Sequence, residues 1–220
     1  MKKAFGPLVV IVGAMFVVAP FLIARAPYES TMGLIQKVFY YHVPSWMAMY
    51  SAIAVCGVAS ALYLFKNNSA ADRYAVSAAE LAVVFGLMGL ITGPLWGRKA
   101  WGVWWQWDAR LTSALLLELI FVAYLLVRAY GGPGSEKLAA GTALFGAATT
   151  PFVYYSVDIW RTVHPKTSVV PTLKPDMGIP FAFCSVAFIL LFVVLLQLRL
   201  NLAERQTALD ELYLAHEESS

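Results

Sequence analysis

Three groups of residues in this 220-residue chain stand where they could do chemistry: two histidines, a run of tryptophans and a scatter of cations. His42 lies in Tyr40-Tyr41-His42-Val43-Pro44-Ser45-Trp46 and His164 in Asp158-Ile159-Trp160-Arg161-Thr162-Val163-His164-Pro165, so each has a tryptophan four residues away. Between them runs Trp101-Gly102-Val103-Trp104-Trp105-Gln106-Trp107-Asp108-Ala109-Arg110-Leu111-Thr112, with Trp96 five positions earlier. A neutral imidazole is a metal ligand. Two of them flanking an aromatic shelf suit an iron whose other four positions are filled by a porphyrin. Zinc would ask for three or four protein ligands, and no cysteine or further histidine is available nearby. Taken singly, each histidine could equally be a hydrogen-bonded residue at a membrane interface. His216, in an acidic tail, reads as exposed.

Wound as a helix, Trp101, Trp104, Trp105, Asp108 and Thr112 share one stripe, with Arg110 pointing roughly the opposite way. The two carboxylates of a haem would need cations, and Arg98, Lys99, Arg110, Arg161, Lys166 and Lys174 are candidates that the sequence does not rank. Asp108 has two readings: it orients a ring N–H or caps the helix that follows it, or it meets the ligand or a partner directly. Asp158 and Arg161 stand three apart and fit a pair across one helical turn. Glu118 falls well inside an apolar segment, where an acid is a functional hypothesis by default, although protonation or a polar neighbour would also explain it. Glu80 reads as interfacial.

The elements that must position these residues are membrane helices. The chain is 60% hydrophobic and 13% charged, with a mean hydropathy of +0.68; a soluble domain is closer to about 45–50% apolar and about 25% charged. A span needs about 20 apolar residues, and six segments qualify, roughly 5–24, 45–65, 76–96, 111–129, 138–159 and 179–199. The expectation is an all-α, six-helix polytopic bundle over residues 1–200. It carries an external Trp-rich segment, 101–112, between helices 3 and 4, and a cytoplasmic tail over 201–220. The first apolar stretch has no convincing cleavage site and reads as a retained span.

Six spans put both termini on one side, with His42, His164 and the tryptophans on or at the edge of the other. Counting cations does not orient the chain. Lys2, Lys3, Lys66, Arg73, Arg128, Lys137, Arg199 and Arg205 on the terminal side match Arg25, Lys37, Arg98, Lys99, Arg110, Arg161, Lys166 and Lys174 on the other. The Lys2-Lys3 pair leans towards cytoplasmic termini. An interfacial aromatic belt would populate both faces, as the tyrosines do, but all seven tryptophans keep to one, which favours a ligand shelf. Cys56 and Cys184 sit in apolar segments and read as small hydrophobes; no C-x-x-C occurs. A net charge of +3 with no cationic run gives no argument for nucleic acid. Leu202, Leu209 and Leu212 give the tail a heptad-like stripe. It reads either as a solvated helix fraying at Glu217-Glu218 or as a helix docking on a partner.

Trp101-Gly102-x-Trp104-Trp105-x-Trp107-Asp108-x-Arg110-Leu111-Thr112 resembles the WWD signature of haem-handling proteins in cytochrome c biogenesis. The length, the span count and one histidine before span two and one after span five are similar to the CcmC, or haem exporter protein C, family. The His42-Val43-Pro44-x-x-Trp46 context adds to the likeness. The larger CcmF- and CcsA-type haem lyases have more spans and further histidines. The family often carries a Trp pair and a His-Gln where this chain has Ile159-Trp160 and His164-Pro165. The resemblance implies that haem b is held on the periplasmic face of a bacterial inner membrane and presented to the haem chaperone CcmE. The small protein CcmD and the ATP-binding-cassette subunits CcmA and CcmB would be the other partners, in contact with membrane lipid. Carried over, His42 and His164 become axial ligands of the iron, with Trp101, Trp104, Trp105, Trp107, Asp108 and Arg110 in the shelf. No general acid, nucleophile or nucleotide loop marks an enzyme; holding haem in one orientation would still assist bond formation on the partner by proximity. Two competing readings are a b-type cytochrome carrying electrons, with histidine pairs inside its spans, and a permease subunit with a polar path, for which Glu118 is the sole support.

Overall fold

The computed structural model describes residues 2–29 and 32–219. The side chains of Lys2, Lys3, Glu218 and Ser219, and the whole of Met1, Ser30, Thr31 and Ser220, lie outside the described residues, and with them the N-terminal charge pair. The architecture is all-helical. It comprises α1 (Lys2–Arg25), α2 (Phe39–Lys66), α3 (Ser69–Trp101), α4 (Ala109–Tyr130), α5 (Ser135–Ile159) and α6 (Pro175–Ser219), with short 3₁₀ turns at Leu34–Val38 and Thr167–Thr172. Five of these, α1, α2, α3, α4 and α6, are long and apolar enough to cross a membrane. The helix expected at 138–159 is there as α5, but Gly141, Thr142, Thr149, Thr150 and two tyrosines dilute its apolar content.

Helices α2 and α3 form the central hairpin. Asn67 turns the chain in the left-handed conformation (φ 50°) and Asn68 caps α3 by accepting from the Ala71 N–H at 3.1 Å. Small residues line their contact, including Ala48, Ala52, Ala78 and Ala82, all fully buried. Small side chains let helix backbones approach closely where no hydrophobic drive separates protein from lipid. Phe85, Leu117, Phe121 and Phe188 complete the core. At the end of the bundle bearing the α2–α3 turn, Arg128 pairs with Asp72 at 2.8 Å, and Arg199 pairs with Glu80 through Nη2–Oε1 at 2.6 Å.

Several expected boundaries move. Helix α2 begins at Phe39, so His42 lies within it and not before it. Helix α3 runs on through Trp96 to Trp101 and stops because Gly102 takes φ 77°, a conformation that costs glycine little. Residues 102–108 are non-helical, so the continuous helical stripe expected over 101–112 does not form. Helix α6 runs in one piece from the span expected at 179–199 through the helical tail to Ser219.

Candidate functional site

Opposite the ion-paired end, the bundle opens into a cavity of about 550 Å³. That is within the range of roughly 300–1,000 Å³ usual for small-molecule sites. Its lining comes from five helices and the three connections at that end, and it includes His42, His164, Trp46, Trp96, Trp101, Trp104, Trp105, Tyr50, Arg110 and Lys166 in an otherwise apolar wall.

The two histidines face this cavity with the same nitrogen free. The His42 ring lies over Gly93 of α3, where a Cβ would stand 3.3 Å from Cε1. Its Nδ1 is 2.9 Å from Thr92 Oγ1, and that hydroxyl points its one proton at the Met88 carbonyl, 2.7 Å away. Thr92 can therefore only accept, so Nδ1 of His42 donates and Nε2 keeps its lone pair. His164 sits on the connection between α5 and α6, and its Nδ1 is 2.8 Å from the carbonyl of Pro165. A carbonyl only accepts, so Nδ1 again donates and Nε2 is again free. Metal-binding histidines are oriented in this way, their second ring N–H given to an oxygen. Burial, and after it the Arg110 guanidinium, pull the His164 pKa down to about 4, against smaller opposing effects of the Pro165 carbonyl and Asp108. Its ring is neutral at any ordinary pH.

Asp108 behaves as the capping reading expects and does more. One oxygen accepts from the Leu111 N–H at 2.8 Å and caps α4. The other accepts from the Thr162 hydroxyl and from the Val163 N–H at 3.0 Å. Thr162 Oγ1 in turn accepts from the His164 N–H at 3.1 Å. One carboxylate thus joins the start of α4 to the segment carrying His164. Asp158 accepts from Thr167 at 2.6 Å, in place of the expected pairing with Arg161, which lies beyond the end of α5.

Arg110 corrects a second expectation. With 102–108 unwound it does not oppose the tryptophans but reaches inward, donating to the Val153 carbonyl and to Tyr50 Oη at 3.4 Å. Of the six cations considered for carboxylates, Arg110 and Lys166 line the cavity. Arg98 turns back to the Gly102 carbonyl.

The tryptophans divide. Trp101 folds onto Gly97, edge-on to Trp96 at 5.4 Å and 6.5 Å from the His164 ring. Trp105 lines the cavity with its indole N–H buried and unpartnered, a donor left for something that enters. Trp104 also lines it. Trp107 packs on Trp105 at 5.7 Å but is 76% exposed and, like Asp108, is not part of the wall. Sequence reasoning missed Thr92, Thr162 and Gln36, which accepts from the Trp96 indole at 3.1 Å. It also missed Gly86, Gly89, Gly93 and Gly97, whose 3-4-4 spacing along α3 was the available signal. Each clears room for a side chain: Glu118, Trp46, His42 and Trp101 respectively.

The set fits an iron porphyrin carried as cargo: two imidazole lone pairs, flat aromatic walls, an unpaired indole donor and two cations around one space. Comparison with known proteins points the same way. A family model described as heme exporter protein C matches residues 1–212. The heme exporter protein C of Bradyrhizobium diazoefficiens is 38% identical over 179 residues, covering 78% of this chain and 68% of that protein. The protein of the same name from Escherichia coli K12 is 32% identical over 182 residues, covering 80% and 73%. A putative cytochrome c biosynthesis ccmC-like mitochondrial protein of Marchantia polymorpha is 32% identical over 145 residues, covering 66% and 61%.

Proposed function

This chain belongs to the heme exporter protein C family, and we propose that it binds haem b at the periplasmic face of a bacterial inner membrane and delivers it to the chaperone CcmE. CcmA, CcmB and CcmD would work beside it in maturing c-type cytochromes. In this reading residues 1–200 make six spans, with α5 as the sixth, its Leu138, Phe145, Phe152 and Tyr155 exposed on the face turned to lipid. Both termini and the 201–220 tail are cytoplasmic, and the tryptophan segment is external. His42 and His164 are the axial ligands, Arg110 and Lys166 meet the haem carboxylates, and Trp101, Trp104 and Trp105 form the shelf. Trp107 and Asp108 serve it from outside.

The observation that carries the reading is the pair of locked tautomers, which leaves two Nε2 lone pairs in one cavity. Such ligands are exchangeable and no covalent tether is needed, which suits holding and hand-over. Electron-carrying b-type cytochromes place their histidine pairs inside spans, whereas His164 here is on a connection. The test is the absorption spectrum of the purified protein beside His42→Ala and His164→Ala. Low-spin haem in the parent, lost or converted in both variants, supports the assignment. Unaltered low-spin haem in both removes it.

A further inference from the structure

The two histidines are held in different ways, and the difference says which one lets go. His42 is built into a helix of the central hairpin. The acceptor that fixes its ring, Thr92, belongs to another helix, and Gly93 seats the ring against α3. Withdrawing His42 would break an interhelical hydrogen bond inside the bundle. His164 stands on the non-helical stretch after Ile159. Its ring donates to the carbonyl of the very next residue, so acceptor and ring travel together. His164 can leave a metal without losing the bond that sets its tautomer.

Two carboxylates hold the connection that carries His164: Asp158 holds Thr167, and Asp108 holds the residues immediately before the histidine. Asp108 accepts from the Thr162 hydroxyl and the Val163 N–H, and the same Thr162 oxygen accepts from the His164 N–H. Hydrogen bonds to a charged acceptor are about twice as strong as neutral ones. This carboxylate bonds two donors in that segment while its other oxygen caps α4.

We propose that His164 is the exchangeable ligand and that Asp108 is its positioning residue, a latch whose release frees the haem on that side while His42 retains it. The proposal rests on the bis-histidine reading above. The exchange moves no electrons: the Nε2 lone pair of His164 leaves the iron and the lone pair of an incoming ligand replaces it. Asn at position 108 keeps an oxygen for the Leu111 N–H, but turns an NH₂ towards two groups that are themselves donors. Thr162→Val removes the hydroxyl relay and leaves the α4 cap intact.

The experiment uses full-length, haem-loaded protein in detergent, with cyanide as the incoming ligand on ferric haem, followed by stopped-flow absorption. Asp108→Asn is expected to speed displacement about tenfold or more, the scale of losing a charge-assisted hydrogen bond. Thr162→Val should speed it in the same direction, and both should exceed Thr92→Val. In the haem-free protein, amide hydrogen exchange at 162–164 should rise in Asp108→Asn while that of Leu111 holds. Thr92→Val accelerating displacement as much as or more than the latch variants would overturn the proposal by making His42 the leaving ligand. So would unchanged displacement and unchanged amide exchange in both latch variants. A parent protein without low-spin haem would instead sink the bis-histidine reading itself.

Discussion

At the scale of single residues, burial and a nearby guanidinium make His164 neutral, and this has a signed pH consequence. Its pKa falls from 6.5 to about 4 on folding. The unfolded chain therefore binds more protons between those values. The stabilisation is complete above about pH 6.5 and is lost as pH falls towards about 4. Thermal unfolding of the haem-free protein should come at lower temperature at about pH 5 than at about pH 7, and the difference should shrink in His164→Ala. Removing the Arg110 cation, as in Arg110→Met, should move acid-induced haem release to higher pH, read as loss of the low-spin spectrum. The histidines and tryptophans were legible in the sequence because residue type and clustering carry the signal. Thr92 was not, since a threonine becomes a histidine's acceptor only when two helices meet fifty residues apart. Arg110 was misread for a related reason. Its direction depends on where the preceding backbone unwinds, and Gly102 alone gave little warning.

At the scale of helices, the glycine row on α3 is the least forgiving feature. A Cβ at Gly86 would run into the Glu118 carboxylate, and one at Gly89 would lie 2.5 Å from the Trp46 indole. Gly86→Ala and Gly89→Ala should each cost roughly 1–3 kcal/mol, the usual price of overpacking, measured by denaturation in detergent. The second should also disturb haem binding, because Trp46 belongs to the cavity wall. Truncating the partner, as in Gly86→Ala with Glu118→Ala, should cost less than the two single changes added together, since the clash is between those two groups. Helix existence was plain from hydropathy for α1 to α4 and α6, whereas α5 is helical with a more dilute apolar content. The ends were not: α2 starts six residues earlier than the span at 45, because the apolar count ignores Phe39 to Pro44, which are helical without being uniformly apolar.

At the scale of the molecule, the two ends of the bundle differ in kind. Ion pairs of α3 with α4 and α6 close one end, and aromatic rings and two histidines frame a cavity at the other. The proposed orientation puts the closed end in the cytoplasm. Cysteines introduced at exposed Trp104 and Ser168 should react with a membrane-impermeant thiol reagent in intact cells, and one at Arg205 only after lysis. The native Cys56 and Cys184 are buried and should stay silent. The unbroken course of α6 has a mechanical corollary. Forty-five helical residues at about 1.5 Å each make a rod of roughly 65 Å, about twice the thickness of a bilayer's hydrocarbon core. Phe181 and Ile189 on this rod border the cavity, whereas residues 204–217 are exposed. A push or twist at the far tip would reach the cavity wall past the Arg199–Glu80 pair, which pins the rod to α3 as a fulcrum does a lever.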